Sequence, residues 1–97
     1  MPANTHVETV VRRFRENDFE VISVVVDPAD AQQVLYGTVT RDGVLVGSYY
    51  CTDQFRQSGW RVLGPDGTHL VFGDEPVELT CDGDAVFLLM KNADSPA

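Results

Sequence analysis

The residues best suited to nucleophilic or metal chemistry at neutral pH are Cys51, Cys81, His6 and His69, the only cysteines and histidines in the chain. A thiolate–imidazole pair needs a cysteine, a base and a third group that orients the base. Cys51–His69 and Cys81–His69 are the pairings to weigh, and both would have to be assembled from distant segments. The same side chains carry donor atoms for zinc, yet none is spaced as a local ligand pair and no C-x-x-C occurs. Buried free thiols account for the two cysteines more simply, since cysteine is among the most buried residue types.

Carboxylates are plentiful. Asp82-Gly83-Asp84 resembles the start of a calcium loop, but such a loop requires further oxygen ligands and a glutamate at its twelfth position. Here Asp84 runs straight into Ala85-Val86-Phe87-Leu88-Leu89, an apolar stretch that reads as a strand. Fifteen acidic residues offer many possible pairs for carboxylate-assisted hydrolysis, and nothing in their spacing selects one. Glycine-rich phosphate loops are absent from the sequence. No catalytic, metal-binding or cofactor-binding residue is therefore assigned, and no cofactor is expected.

Among the aromatics, Tyr49 and Tyr50 are neighbours and point to opposite faces if their segment is a strand. Trp60 and Phe72 are expected to share an apolar face. Phe55 sits among polar residues and is the candidate for an exposed partner contact.

The elements that would position these residues emerge from periodicity. Thr5 and Glu8 form a capping box, and Val7, Val10, Val11 and Phe14 recur at helical spacing, so an amphipathic helix is predicted over residues 5–17. Residues 19–26 read as a strand apolar on both faces and hence central in a sheet. Asp27-Pro28 stops it and suits the start of a short helical turn through Gln33.

Three hairpins are expected. Asp42-Gly43 joins strands 34–41 and 44–51, setting Val39 opposite Val46 and Leu35 opposite Tyr50. Gly64-Pro65-Asp66-Gly67 joins 59–64 to 68–73 through a type I turn with a glycine bulge, with His69 opposite Leu63. Asp82-Gly83 joins 77–81 to 85–91. Residues 52–59 form the least regular connection, and 92–97 a frayed tail. The expected fold is a single α+β domain. Its N-terminal amphipathic helix packs on a strongly curled, mostly antiparallel sheet or partly open barrel of about seven short strands.

A chain of 97 residues suits one domain, and its hydrophobic fraction of 43% is that of a globular protein. No apolar run approaches the length of a membrane helix, and the opening residues lack the basic and apolar regions of a secretory signal, so a cytoplasmic location is expected. Fifteen acids against seven bases give a net charge of −8, which argues against nucleic acid or membrane as the partner.

If the hairpins alternate as in a meander, Asp42, Asp66, Asp82 and Asp84 share one rim. A rim of that kind would favour a basic protein partner and speed its encounter. Aspartate at a turn also has a purely local use, bonding its own backbone. The function expected from these features is a non-catalytic protein-interaction module: an accessory, inhibitor or immunity-type small acidic protein. The alternatives are a barrel-like domain holding a small molecule among Tyr49 or Tyr50, Trp60 and Phe72, and a structural or virion component assembling through a strand edge.

Overall fold

β-Branched residues and alternation dominate residues 9–26 and 33–63, and the computed structural model forms five strands there. It describes residues 9–26 and 33–94. The Thr5–Glu8 capping box with His6 and Val7, the Asp27-Pro28 turn with the segment through residue 32, and the chain beyond Asp94 lie outside the described residues.

Strands β1 (Thr9–Glu16), β2 (Phe19–Val26), β3 (Gln33–Arg41), β4 (Val44–Asp53) and β5 (Ser58–Leu63) form one antiparallel sheet of five strands in chain order. A small hairpin of β6 (Val71–Phe72) and β7 (Glu75–Pro76) comes next, and the helix α1 (Asp82–Asp94) ends the described chain. No helix among the described residues is long and apolar enough to cross a membrane.

The expected N-terminal helix is replaced over residues 9–16 by β1, which pairs with β2 residue for residue from Thr9↔Val26 to Glu16↔Phe19. Val10, Val11 and Phe14 fit one helical stripe, but Thr9, Val10 and Val11 also favour extended backbone. Asn17-Asp18 provides a two-residue reversal, with Asn17 in the left-handed region at φ 57°. Pairing with a strongly β-forming neighbour outweighs the helical pattern.

The second correction is at the other end. The expected strand 85–91 and the first residues of the expected tail belong to α1, and Asp82-Gly83 opens that helix instead of closing a hairpin. Ala, Leu, Met and Lys are good helix formers. Asp82 and Asp84 in the first turn and Lys91 in the last complement the helix dipole. Ala85, Val86 and Leu89 make the fully buried stripe, with Leu88, Met90 and Ala93 packed beside it. The expected strand 77–81 reduces to a single bridge, Trp60↔Leu79. Of the expected strand 68–73, the bridge Leu63↔His69 and the two residues of β6 remain. The sheet is open, neither curled nor barrel-like.

Three sequence expectations hold locally. Strand β2 lies inside the sheet, between β1 and β3. Asp42-Gly43 closes β3 and β4 with φ values of 53° and 81°, as a two-residue turn matched to strand twist requires. At the next turn Gly67 N–H donates to Gly64 O at 3.0 Å and Gly64 N–H to Thr68 O at 2.9 Å.

The β3–β4 register departs from expectation by one residue. Val46 is an extra residue between the pairs Thr40↔Leu45 and Val39↔Gly47, so Tyr36, not Leu35, faces Tyr50. A second irregularity leaves Leu35 between the pairs Val24↔Tyr36 and Val25↔Val34. That extra residue turns Val34 onto the same face as Gly37 and Val39, where it is buried.

Helix α1 lies on one face of the sheet, over β3, β4 and β5. Phe19, Val21, Val25, Val34, Val39, Tyr49, Cys51, Trp60 and Val62 join its buried stripe in the core. Each large apolar side chain taken out of water there contributes about 1.5–3 kcal/mol.

Register places Ser23, Gly37 and Tyr49 side by side on this face. A β-carbon built on Gly37 would overlap the Tyr49 ring, so the ring lies flat across β3 only because Gly37 has no side chain. Gly37→Ala is expected to cost about 1–3 kcal/mol in urea unfolding through overpacking. In a Tyr49→Leu background the same methyl should cost much less, because the obstructing ring is gone.

Candidate partner-binding site

The side chains that α1 leaves uncovered on this face belong mainly to β1. Val10, Arg12, Phe14 and Glu16 lie opposite Val25, Ser23, Val21 and Phe19 and continue the helix-bearing face to the sheet margin. Between them and α1 runs a groove of about 440 Å³. Phe14 forms one wall and Val86, Phe87 and Met90 the other; Ser23 and Tyr49 lie along it, with Arg12 and Asp82 at the sides. Phe14 is 49% exposed and Phe87 59%, large values for phenylalanines in a chain this small.

Tyr49 is 1% exposed, and its hydroxyl bonds the Ser23 hydroxyl at 3.0 Å. Its ring packs on Trp60 with centroids 5.9 Å apart. Burial pushes the phenol above its ordinary ionisation range; the Ser23 bond and Arg12 oppose that shift, and Asp82 adds to it. Tyr49 is thus held neutral at physiological pH, as a fixed polar point in an apolar floor.

The thiol–imidazole pairing does not form at Cys51. That thiol faces the core, where it donates weakly to Val34 O and accepts from the side-chain amides of Gln54, at 3.3 Å, and Gln57. Burial raises it above the usual thiol range, the largest of several effects. His69 instead meets the Tyr50 hydroxyl at 2.7 Å on the opposite face of the sheet. Cys81 is exposed, against the expectation that both thiols are buried. His6 lies outside the described residues. Among the described residues, no three His, Cys, Asp or Glu side chains converge as metal ligands.

Gln57 holds the β4–β5 connection in place. Its side chain accepts from Val34 N–H at 2.8 Å and donates to Val34 O at 3.3 Å, and its carbonyl accepts from the Trp60 indole at 2.9 Å. This network raises Phe55 to the tip of the connection, where it is 85% exposed.

The meander sends Asp42 and the Pro65-Asp66-Gly67 turn to the same end of the sheet. A surface pocket there is lined by Asp42 and Pro65 together with Asn92 and Ala93 from the close of α1. Asp82 and Asp84 open that same helix, so along its axis Asp82 is about 15 Å from Asn92. Two of the four carboxylates therefore share the expected end, and Phe55 lies at the opposite one. Asp66 accepts from Thr68 N–H at 3.1 Å and from the Thr68 hydroxyl at 2.8 Å, which lowers its carboxyl below the usual range.

The apolar face expected to join Trp60 and Phe72 does not form. Trp60 is packed in the core, while Phe72 is 87% exposed on β6. Sequence reasoning missed Phe14, Phe87 and Arg12 as a group because β1 was read as helix and α1 as strand. Comparison of the chain with protein-family models, with curated proteins and with solved structures finds no match.

Tyr49→Phe removes the partner of the buried Ser23 hydroxyl and should cost about 1–2 kcal/mol near neutral pH. The wild-type contribution is fully present below pH 10, the ordinary tyrosine value. It is lost as pH rises further, because the unfolded phenol ionises first. Urea unfolding between about pH 8 and 11 should therefore fall more steeply for wild type than for Tyr49→Phe. Thiol titration with a disulfide reagent should show Cys81 reacting at once and Cys51 only as the protein unfolds.

Proposed function

We propose that the chain is a non-catalytic protein-interaction module of the accessory, inhibitor or immunity type, acting in the cytoplasm by holding a protein partner. One observation carries this reading. The outer edge of β1 has no strand partner among the described residues, and Val10 and Phe14 stand exposed on its helix-bearing face, with Phe14 lining the groove and Val11 exposed on the other face. An unpaired strand edge presents a row of backbone donors and acceptors, and an apolar groove next to it supplies contact area. The proposed contact lies at β1 and not at the turns, because the expected four-carboxylate rim is divided between two places. Asp42 and Asp66 would at most steer a basic part of the partner during encounter.

A photo-crosslinking amino acid placed singly at Phe14, Phe55 and Phe72 in the native extract tests the reading. The expected result is one stoichiometric protein adduct from position 14, weakened when Phe87 is replaced by Ser. Absence of a stoichiometric partner at all three positions would overturn the module reading.

A further inference from the structure

Resting on that reading, the geometry points to the kind of segment β1 accepts: an extended strand of a partner protein that alternates apolar and acidic residues. Successive side chains of an added strand point to opposite faces of the sheet. Those on the helix-bearing face would meet the groove walls Phe14, Val86, Phe87 and Met90, which favour apolar side chains. Those on the other face would lie beside Arg13 and Arg15, the β1 residues opposite Ile22 and Glu20.

The charge distribution supports this assignment. In a chain of net charge −8, three of the seven basic residues, Arg12, Arg13 and Arg15, fall within one eight-residue strand. Glu20 engages Arg13 only at 3.9 Å, and the Arg13 side chain stays 64% exposed. On the groove side Arg12 is accompanied by Glu16 and Asp82, and Arg13 also reaches the groove. On the opposite face Arg13 and Arg15 together outnumber the one carboxylate beside them, Glu20. Opposite charges directly across a strand pair stabilise it, and like charges destabilise it. The same rule disfavours a second copy of β1 as the occupant, since antiparallel self-pairing would set arginine against arginine. Edge arginines can serve solely to prevent strand addition, and the experiment separates that role from recognition.

The probe is a fluorescent synthetic peptide of about ten residues alternating Val with Glu, compared by anisotropy with its Val–Lys counterpart. The Val–Glu peptide is expected to bind at least about tenfold more tightly. N-methylation of alternate backbone amides in one of the two phases should abolish binding, because strand addition uses only outward-facing groups. The double substitution Arg13→Glu with Arg15→Glu changes two exposed positions and should invert the preference toward the Val–Lys peptide. Equal binding of the two peptides, insensitivity to N-methylation, no binding, or dimerisation through β1 would each overturn the proposal. A cellular partner that still binds the doubly substituted protein would remove this site and leave the module reading standing.

Discussion

The flat placement of the Tyr49 ring across Gly37 is the contact on which the arrangement depends. Strand β3 carries no side chain at that point, so a residue of β4 reaches over it and bonds Ser23 of β2. Three adjacent strands are thereby joined through side chains as well as through the backbone ladder. The ring also forms a floor at one height for α1, with Trp60 beside it. A larger residue at 37 would lift the ring, break the bond to Ser23 and disturb the core that Tyr49 shares with Val86 and Leu89. Sequence, packing and groove meet at this row, because the side chains that stabilise the sheet also shape the floor beside β1.

Coverage of the sheet is unequal at its two margins, and the inequality has a physical origin. At the β5 margin the chain doubles back and satisfies the outer edge with backbone bonds. Trp60 and Leu79 exchange N–H···O bonds of 2.9 and 2.8 Å, and Leu70 N–H donates to Val62 O at 2.8 Å. The β6–β7 hairpin is an excursion between those two attachments, closed where Val77 N–H donates to Leu70 O. Helix α1 comes directly after and is tethered to that side, so it covers β3 to β5. One helix is about 10 Å wide and does not reach across to the β1 margin, while the β2 side chains Phe19, Val21 and Val25 are buried. The β1 margin is therefore left with apolar side chains and arginines together, the combination expected of an edge that must resist indiscriminate pairing while remaining usable.

Chemistry confined to a few consecutive residues was legible in the sequence. Asp42-Gly43 and Pro65-Asp66-Gly67 need particular backbone angles, and only a few residue types supply them. Strand β2 was legible because Val, Ile and Phe on alternating faces have no competing reading. The errors came where two periods fit the same residues. Val10, Val11 and Phe14 satisfy helical spacing, and the pairing that decides for a strand lies in β2, outside the window. The run from Ala85 to Met90 is apolar at every position, which fits a buried strand or a buried helix equally well. Bulges at Leu35 and Val46 were not legible at all, since a one-residue insertion is fixed by the packing of Val34 and Tyr49 and leaves no local signature.

The candidate site inherits those errors in a traceable way. Grouping four aspartates on one rim assumed that every Asp-Gly marks a hairpin, so that parity along the meander assigns each tip to an end. Parity holds as far as Asp66 and fails at Asp82, where the same dipeptide begins a helix. Aspartate is favoured in both settings for different reasons: at a turn it bonds its own backbone, and at a helix start its charge meets the dipole. Residue type alone does not distinguish the two. The residues after the dipeptide are apolar throughout and do not decide either; what decides is the packing of Ala85 and Leu89, four positions apart on one helix face, into the core. Moving Asp82 and Asp84 from the rim to the helix start dissolves the carboxylate cluster and sets one wall of the groove opposite Phe14. The acidic character of the chain is then spread over separate places, and the concentrated charge on the described sheet is the run of arginines on β1.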